Sequence, residues 1–191
     1  MKNITKSIIV LFGLTFMTGC NSVFVGDSIM NMSRPNVAAH FPNSKVNAAD
    51  GRGAYNGGVN GQPGTGMEAI AAEVASVDPG KWMIIELGSN NISFDAGQRA
   101  WFIVSALSTV PNDRCVAWVA PFVAFNQVQV DAWAASLLQY VILANQPCST
   151  VVRWDLMAAA HPEYMADFTH PNEIGKEALV CLIGSSIGSP C

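Results

Sequence analysis

The stretch Trp82-Met83-Ile84-Ile85-Glu86-Leu87 has the composition of a β-strand that is buried on both faces. Four further apolar runs have this character, and helix-like segments separate most of them. Because apolar strands that alternate with helices are typical of parallel sheets, the pattern predicts an α/β fold of three layers around a five-stranded parallel sheet. The other predicted strands are residues 22–26, 45–49, 115–119 and 150–154, and the predicted helices are residues 67–77, 96–110, 128–144 and 173–187.

The N-terminus has the features of an export signal. Lys2 and Lys6 supply positive charge, and the apolar stretch at residues 8–17 is shorter than the roughly 20 residues of a membrane span. We therefore expect residues 1–19 to be a signal peptide of the lipoprotein type and residues 20–191 to form one exported domain.

The end of this signal, Met17-Thr18-Gly19-Cys20, resembles a bacterial lipobox, in which the cysteine is acylated and becomes the mature N-terminus. This predicts a lipoprotein that is anchored to the membrane through Cys20, on the periplasmic or outer-membrane face if the source is Gram-negative. The alternative is an ordinary secretory signal with an incidental cysteine. A strand that starts at Ser22 favours this alternative, because it leaves almost no tether.

The composition excludes several classes of partner. Without Lys2 and Lys6, the chain keeps 8 of its 10 basic residues against 14 acidic ones, so the mature domain is acidic. No basic cluster is present, which argues against nucleic acid and against electrostatic membrane binding. The three histidines are scattered without metal-ligand spacing, so we expect neither a catalytic metal nor a cofactor. We also expect a monomer.

Four cysteines remain after Cys20, and in an exported protein an even number suggests two disulfides. Cys115 and Cys148 each begin an apolar run, so they could face each other across neighbouring strands. Cys181 and Cys191 would then join the last helix to the tail. The other two pairings and buried free thiols stay open at this point.

Two short segments at opposite ends of the chain carry the residue types of an acyl-transfer site. Ser28 follows the first predicted strand, in Gly26-Asp27-Ser28, and Asp167 precedes His170 by three residues near the C-terminus. A serine, a histidine and an aspartate can form a nucleophile, a general base and the acid that orients the base. Asp155, at the end of the fifth predicted strand, is the rival for the acid.

These segments and two others fall at the carboxyl ends of predicted strands, where ligands bind in open α/β sheets. Gly51 follows the second strand and opens a glycine-rich stretch at residues 51–66, which could be a flexible loop or could let the backbone approach a ligand. Asn90 follows the third strand, within Gly88-Ser89-Asn90-Asn91.

At these positions the chain resembles the SGNH hydrolases, also called the GDSL family. Gly-Asp-Ser-Ile at residues 26–29 is similar to the nucleophile block of the family, and Gly51 to the glycine of its second block. Gly88-Ser89-Asn90 is similar to the third block, and Asp-Phe-Thr-His-Pro at residues 167–171 to the last. Ile29 stands where leucine is commoner, and Asn91 where aspartate is often found. The resemblance covers the whole mature chain and is consistent with a flavodoxin-like sheet.

The resemblance implies a role for each residue. His170 takes the proton of Ser28 as general base, and Asp167 fixes the imidazole tautomer. The backbone N–H groups of Ser28 and Gly51 and the side-chain amide of Asn90 form the oxyanion hole. His40 and His161 lack a carboxylate in the family's position, so we interpret both as surface or loop residues.

The sequence therefore predicts an exported esterase that forms an acyl-serine intermediate on a small-molecule or carbohydrate ester. The alternative enzyme is an acyltransferase that passes the acyl group to a cell-wall sugar. Residues 47–52 resemble the second block of SGNH domains in peptidoglycan O-acetyltransferases, which favours acetylated cell-wall or other carbohydrate esters, while lipid and short-chain esters stay open. A non-catalytic lipoprotein that binds glycans is the hypothesis from another class.

Overall fold

The computed structural model describes residues 22–56, 64–144, 146–189 and 191, so the predictions for the signal peptide and Cys20 lie outside the described residues. Within them, five strands form one sheet in which every pairing is parallel, in the order β2-β1-β3-β4-β5. This confirms the predicted α/β fold with a five-stranded parallel sheet. The strands are β1 (Val23–Gly26), β2 (Lys45–Ala48), β3 (Trp82–Glu86), β4 (Cys115–Val119) and β5 (Ser149–Val152).

Seven α-helices connect or flank the strands in the described part of the chain. The four longer ones coincide with the predicted helices to within a few residues. Helices α1, α2 and α6 were not predicted, because segments of five to seven residues are too short to reveal a helical period. The helices are α1 (Ser28–Met32), α2 (Arg34–His40), α3 (Gly66–Glu73), α4 (Ala96–Thr109), α5 (Gln127–Ile142), α6 (Trp154–Ala160) and α7 (Glu173–Ser186).

The prediction for the end of the fifth strand was wrong. The strand ends at Val152, and Trp154 begins α6 with its side chain fully buried. An apolar residue after Arg153 fits a buried strand and the buried face of a short helix equally well, so the sequence pattern cannot separate them.

The two faces of the sheet bury separate clusters, which makes the three layers. Alternate strand residues point to opposite faces, so Val25 and Ile85 pack with Phe102 of α4 and Trp133 of α5 on one side. On the other side, the intervening strand residues pack with α7, for example Phe24 and Ile84 with Leu179 and Ile183. All of these side chains are fully buried.

Two disulfides join the four cysteines in the expected pairs. Cys115 at the start of β4 bonds to Cys148 just before β5, and Cys181 of α7 bonds to Cys191 in the tail. The first links the amino-terminal ends of neighbouring strands, on the edge of the sheet away from the predicted site. Among the described residues, no helix combines the length and the apolarity that crossing a bilayer requires.

The strand order places a topological switch point between β1 and β3. The chain leaves β1 toward β2 on one side, and it returns from β3 toward β4 on the other. In open α/β sheets the crevice beyond the carboxyl ends of such strands is where ligands bind. Gly26 and Glu86 are register partners at this point, so residues that follow them face the same crevice.

Candidate active site

Ser28 stands at a sharp turn between β1 and α1. Asp27 caps the short helix, because its Oδ1 accepts a hydrogen bond of 3.0 Å from the backbone N–H of Ile29. Gly26 makes the turn possible, since a Cβ atom there would lie 2.4 Å from the Cβ of Met30. The turn therefore holds Ser28 at the carboxyl edge of the sheet.

Asp167 and His170 lie in a loop that an isolated antiparallel bridge between Met165 and Pro171 closes. Asp167 Oδ1 accepts hydrogen bonds of 2.7 Å from the backbone N–H groups of Thr169 and His170. Its Oδ2 accepts a hydrogen bond of 2.8 Å from Nδ1 of His170. The carboxylate is held through both oxygens and orients the imidazole.

These contacts also set the charge of Asp167. Its slight burial raises the pKa, but the backbone N–H groups of His170 and Thr169, followed by the imidazole, outweigh burial and lower the pKa to about 2. An ionised carboxylate only accepts hydrogen bonds, so Nδ1 of His170 carries the ring proton. Nε2 is then left as an acceptor.

The acceptor atom faces the nucleophile. His170 Nε2 lies 2.9 Å from Ser28 Oγ, although 142 residues separate the two in sequence. The structure thus brings Ser28, His170 and Asp167 into one chain of hydrogen bonds. The side chains of His170 and Asp167 are 31% and 54% exposed, so the site is open to solvent.

The two predicted oxyanion loops lie beside Ser28. Gly51, in the turn after β2, has φ +67°, a left-handed conformation that favours glycine. Arg52 closes that turn by donating its N–H to the carbonyl oxygen of Ala49 at 3.3 Å. The Asn90 side chain, after β3, donates to the carbonyl oxygen of Arg52 at 3.1 Å. This bond ties the two loops together.

Both hydrogens of the Asn90 amide are engaged within the protein. Nδ2 donates to Asp27 Oδ2 at 3.1 Å as well as to Arg52. Both partners are pure acceptors, so the orientation of the amide is unambiguous. A substrate oxygen at this site must therefore take one of these hydrogens from its present acceptor.

Comparison with solved structures shows what the chain is similar to. The catalytic domain of peptidoglycan O-acetyltransferase A from Streptococcus pneumoniae matches with a TM-score of 0.70 and 17% identity, covering 89% of this chain and 93% of that domain. A member of the G-D-S-L lipolytic family from Veillonella parvula matches with a TM-score of 0.67 and 16% identity, covering 86% and 96%. A carbohydrate acetylesterase from Sinorhizobium meliloti matches with a TM-score of 0.62 and 13% identity, and the match covers 86% of this chain and 97% of the acetylesterase.

The chain has the SGNH hydrolase fold. At these identities the likeness concerns the fold, so the chemistry has to be argued from the site itself. No protein-family model matches the sequence, and no curated protein matches it either.

Within this SGNH fold, sequence reasoning missed a buried polar layer beneath the site. Asp27 and Glu86 are 0% and 1% exposed, and Arg52 is 3% exposed. The Ser89 hydroxyl donates to Asp27 Oδ2 at 2.5 Å, and the guanidinium of Arg52 donates to the carbonyl oxygen of Asn47 at 2.8 Å. One signal was available, because Glu86 is the single charged residue of an otherwise apolar strand.

Asp155 is not the acid of this site. It lies in the first turn of α6 rather than at a strand end, and it is buried. Arg153 donates to both of its oxygens, at 2.9 and 2.7 Å. The other histidines pair with different carboxylates, His40 with Glu177 at 2.5 Å and His161 with Glu163 at 2.9 Å.

A largely apolar cavity of about 310 Å³ opens beside Asp167. Its lining includes Phe122, Met165 and Phe168. Phe168 also makes an edge-to-face contact with Phe125, with ring centroids 4.7 Å apart, and both rings are mainly exposed. Phe125 adopts φ +66°, which is uncommon for a bulky residue.

Among the described residues, three side chains of the types that bind metals lie close together, namely His40, Cys181 and Cys191. The two cysteines are joined in a disulfide, so they offer no thiolate to a metal. His40 is engaged with Glu177. This cluster therefore lacks the ligands of a metal centre.

Proposed function

We propose that this chain is a serine esterase that hydrolyses carboxylic esters through an acyl-serine intermediate on Ser28. The observation that carries the proposal is the 2.9 Å contact between Ser28 Oγ and His170 Nε2, with the other ring nitrogen bonded to Asp167. A serine hydroxyl is weak by itself, and a base at this distance activates it.

The reaction follows from these contacts. Ser28 Oγ attacks the ester carbonyl carbon while His170 Nε2 takes the hydroxyl proton, and Asp167 stabilises the imidazolium. The tetrahedral intermediate collapses, the bond to the alcohol oxygen breaks, and His170 gives its proton to that oxygen. Water then attacks the acyl carbon and loses a proton to His170, and Ser28 recovers the proton as the acid leaves.

Negative charge on the carbonyl oxygen needs donors during both steps. The backbone N–H groups of Ser28 and Gly51 and the Asn90 amide are the candidates. For Asn90, the hydrogen that now binds the carbonyl oxygen of Arg52 is the one we expect to turn to the substrate, because the bond to Asp27 is made to an anion and is stronger.

The test is covalent labelling with a fluorophosphonate together with hydrolysis of p-nitrophenyl acetate. The proposal expects one label on Ser28 in the wild type and no label or hydrolysis in Ser28→Ala. Ser108→Ala is the matched control, because Ser108 is an exposed serine on α4. Hydrolysis by Ser28→Ala at the wild-type rate would refute the proposal, and a wild type without label or activity would favour the non-catalytic glycan-binding lipoprotein.

We propose an acetylated carbohydrate as the natural substrate. The carbohydrate acetylesterase and the O-acetyltransferase among the similar structures support this choice. The exposed rings of Phe125 and Phe168 could stack on a sugar, whereas the apolar cavity beside Asp167 would suit a longer acyl chain. Comparing acetyl with octanoyl esters separates these outcomes, since a strong preference for octanoyl would contradict the carbohydrate substrate.

Acyl transfer to a cell-wall sugar is the second candidate. The match to the O-acetyltransferase domain, with its TM-score of 0.70, favours it. Both reactions use the same acyl-serine and differ only in whether water or a sugar hydroxyl attacks it. Mass spectrometry of chito-oligosaccharides incubated with enzyme and p-nitrophenyl acetate would reveal transferred acetyl groups, and their absence would favour hydrolysis.

We further propose that the domain is exported and anchored through a lipid on Cys20. The lipobox-like residues 17–20 support this. Mass spectrometry of the mature N-terminus should find a diacylglycerol on Cys20, and Cys20→Ser should release the protein from the membrane fraction. An unmodified mature terminus would refute the anchor and leave an ordinary secreted enzyme.

A further inference from the structure

Two carboxyl groups meet at the switch point beneath the candidate site. Glu86 is the last residue of β3, and Asp27 follows its register partner Gly26. Both are fully or almost fully buried, and the backbone N–H of Asp27 donates to Glu86 Oε2 at 3.3 Å, so the two carboxyl groups are neighbours. A hydrogen bond between two carboxyl groups needs a proton on one of them, because ionised carboxylates only accept.

The hydrogen-bond donors around the pair indicate which group is ionised. Asp27 receives a donor on each oxygen, from the backbone N–H of Ile29 on Oδ1 and from Ser89 and Asn90 on Oδ2. These donors stabilise a carboxylate. Of the two groups, Asp27 therefore has the surroundings of an ionised carboxylate.

The backbone contacts of Glu86 agree with this assignment. Its Oε2 accepts from the N–H groups of Asp27 and Met30, both at 3.3 Å, so one oxygen serves as the acceptor. Two adjacent carboxylates buried together cannot both ionise. Burial and the Asp27 charge raise the pKa of Glu86 well above its usual range.

The charged groups that face the pair act mainly on Asp27. Burial raises the pKa of Asp27, while the bonds from Ser89 and Ile29 and the field of His170 lower it. Arg52 also interacts with the Asp27 charge, and the charge of Arg34 acts in turn on Arg52. These surroundings favour ionisation of Asp27 over that of Glu86.

We propose that Glu86 is a positioning residue, which donates its carboxyl proton to Asp27 and thereby holds both the Asn90 amide and the Ser28 turn in place. Asp27 is the link, since it caps the helix that starts with Ser28 and accepts from Asn90. The positioning role rests on the esterase function proposed above, whereas the proton assignment does not.

The assignment can be tested by infrared spectroscopy in D₂O at pH 7. The difference spectrum between the wild type and Glu86→Gln should contain the carbonyl band of one protonated carboxylic acid. Glu73→Gln is the matched control, because Glu73 is a buried glutamate that pairs with Lys45 at 2.7 Å and has a lowered pKa. Its difference spectrum should contain the carboxylate bands of Glu73 and the amide band of the substituted side chain, without an acid band. Absence of the acid band from the Glu86 spectrum would overturn the assignment.

The positioning role can be tested by kinetics. The amide of Glu86→Gln can donate to Asp27 and accept from both backbone N–H groups, so its kcat should stay within a few-fold of the wild type. Glu86→Ala should lower kcat by about tenfold to a hundredfold with little change in KM, because a catalytic group misplaced by about 1 Å can cost about a hundredfold. The wild type should also lose kcat in alkali as Glu86 ionises, and Glu86→Gln should not.

The outcomes separate the two proposals. If kcat decreased at alkaline pH to the same extent in wild type and Glu86→Gln, the positioning role would be overturned. This test holds even if Glu86→Ala does not fold. A wild type that neither hydrolyses esters nor reacts with fluorophosphonate would refute the esterase function. In that case the infrared band would still decide whether Glu86 carries the proton.

Discussion

Asp167 and Asp27 each lie within one hydrogen bond of a candidate catalytic side chain, yet they occupy opposite environments. The Asp167 side chain is 54% exposed and contacts His170, whereas Asp27 is 0% exposed and contacts Asn90. Backbone N–H groups and an imidazole lower the pKa of Asp167 to about 2. Burial raises the pKa of Asp27, and burial together with the Asp27 charge raises the pKa of the neighbouring Glu86 well above its usual range.

This difference teaches that one residue type serves two purposes in the same site. Asp167 remains charged because it faces donors and solvent, so it can stabilise an imidazolium that forms during the reaction. Asp27 is buried away from water, so groups of the protein must satisfy its charge, and Ile29, Ser89 and Asn90 all donate to it. We therefore expect Asp167 to contribute chiefly to rate and Asp27 to contribute to rate and stability together.

The largest effect should come from Asp167→Asn. An amide cannot hold the imidazole in the required tautomer, and in Ser-His-Asp proteases this change lowers kcat about 10⁴-fold. We expect a loss of about 10³- to 10⁴-fold here, measured with p-nitrophenyl acetate, with only a small change in the thermal midpoint. Asp155→Asn is the control. It should destabilise the fold by removing the carboxylate that pairs with Arg153, while kcat stays close to wild type. A larger loss of kcat in Asp155→Asn than in Asp167→Asn would reinstate Asp155 as the acid.

Asn90→Ala should have the next largest effect on rate. Removing one oxyanion donor typically lowers kcat about 10²- to 10³-fold. Unlike Asp167→Asn, this change also removes a donor from buried Asp27, so the free energy of unfolding should fall by about 1–3 kcal/mol. Asn36→Ala, which removes a part-buried hydrogen bond from α2 to Glu177 of α7, should leave kcat unchanged. If Asn90→Ala kept the stability of the wild type, the hydrogen bond from Asn90 to Asp27 would not contribute to the stability of the fold.

The two environments should respond to pH with opposite sign. Folding lowers the pKa of Asp167, so its contribution to stability is present above the pKa of an unfolded aspartate and is lost as the pH falls toward 2. Urea unfolding should therefore find the difference between wild type and Asp167→Asn largest above pH 4, and this difference should shrink as the pH falls toward 2 and disappear below it.

Folding raises the pKa of Glu86, so its effect on the pH dependence of stability has the opposite sign to that of Asp167. The folded state then holds a proton that the unfolded state releases, so stability falls as the pH rises above the pKa of an unfolded glutamate, about 4.3. Relative to Glu86→Gln, the wild type should lose up to about 1.4 kcal/mol per pH unit until Glu86 ionises in the folded protein. Parallel pH curves for the two proteins would show that the pair does not share a proton.

The sequence could predict the exposed pair, Asp167 and His170, but it could not predict the buried pair, Asp27 and Glu86. Asp167 and His170 are three residues apart, so a local turn is enough to join them, and the pattern around them could be recognised. The partnership of Asp27 with Glu86 depends on the pairing of β1 with β3, because only the register brings residues 59 positions apart into contact.

The same distinction explains the successes and failures in the fold. Long apolar strands and amphipathic helices carry a period that sequence reveals, and β4 was predicted with its observed bounds. The end of β5 at Val152 depends on tertiary packing of Trp154, so it was predicted wrongly. The disulfide pairs were expected, but four cysteines allow three pairings, and only the neighbouring strands β4 and β5 select the observed one.

The smallest effect on rate should come from removing the Cys115–Cys148 disulfide, and this variant tests whether the buried pair matters only through global stability. The bond closes a segment of 33 residues at the amino-terminal ends of β4 and β5, away from both aspartates. Replacing both cysteines with serine should lower the free energy of unfolding by about 3–4 kcal/mol, because the unfolded chain regains the entropy of an open loop. At temperatures where the variant stays folded, kcat and its fall in alkali should match the wild type. If the loss of this disulfide shifted the pH at which kcat decreases in alkali, that decrease would reflect the stability of the whole fold. The contrast between Asp167 and Asp27 would then not be a property of the site.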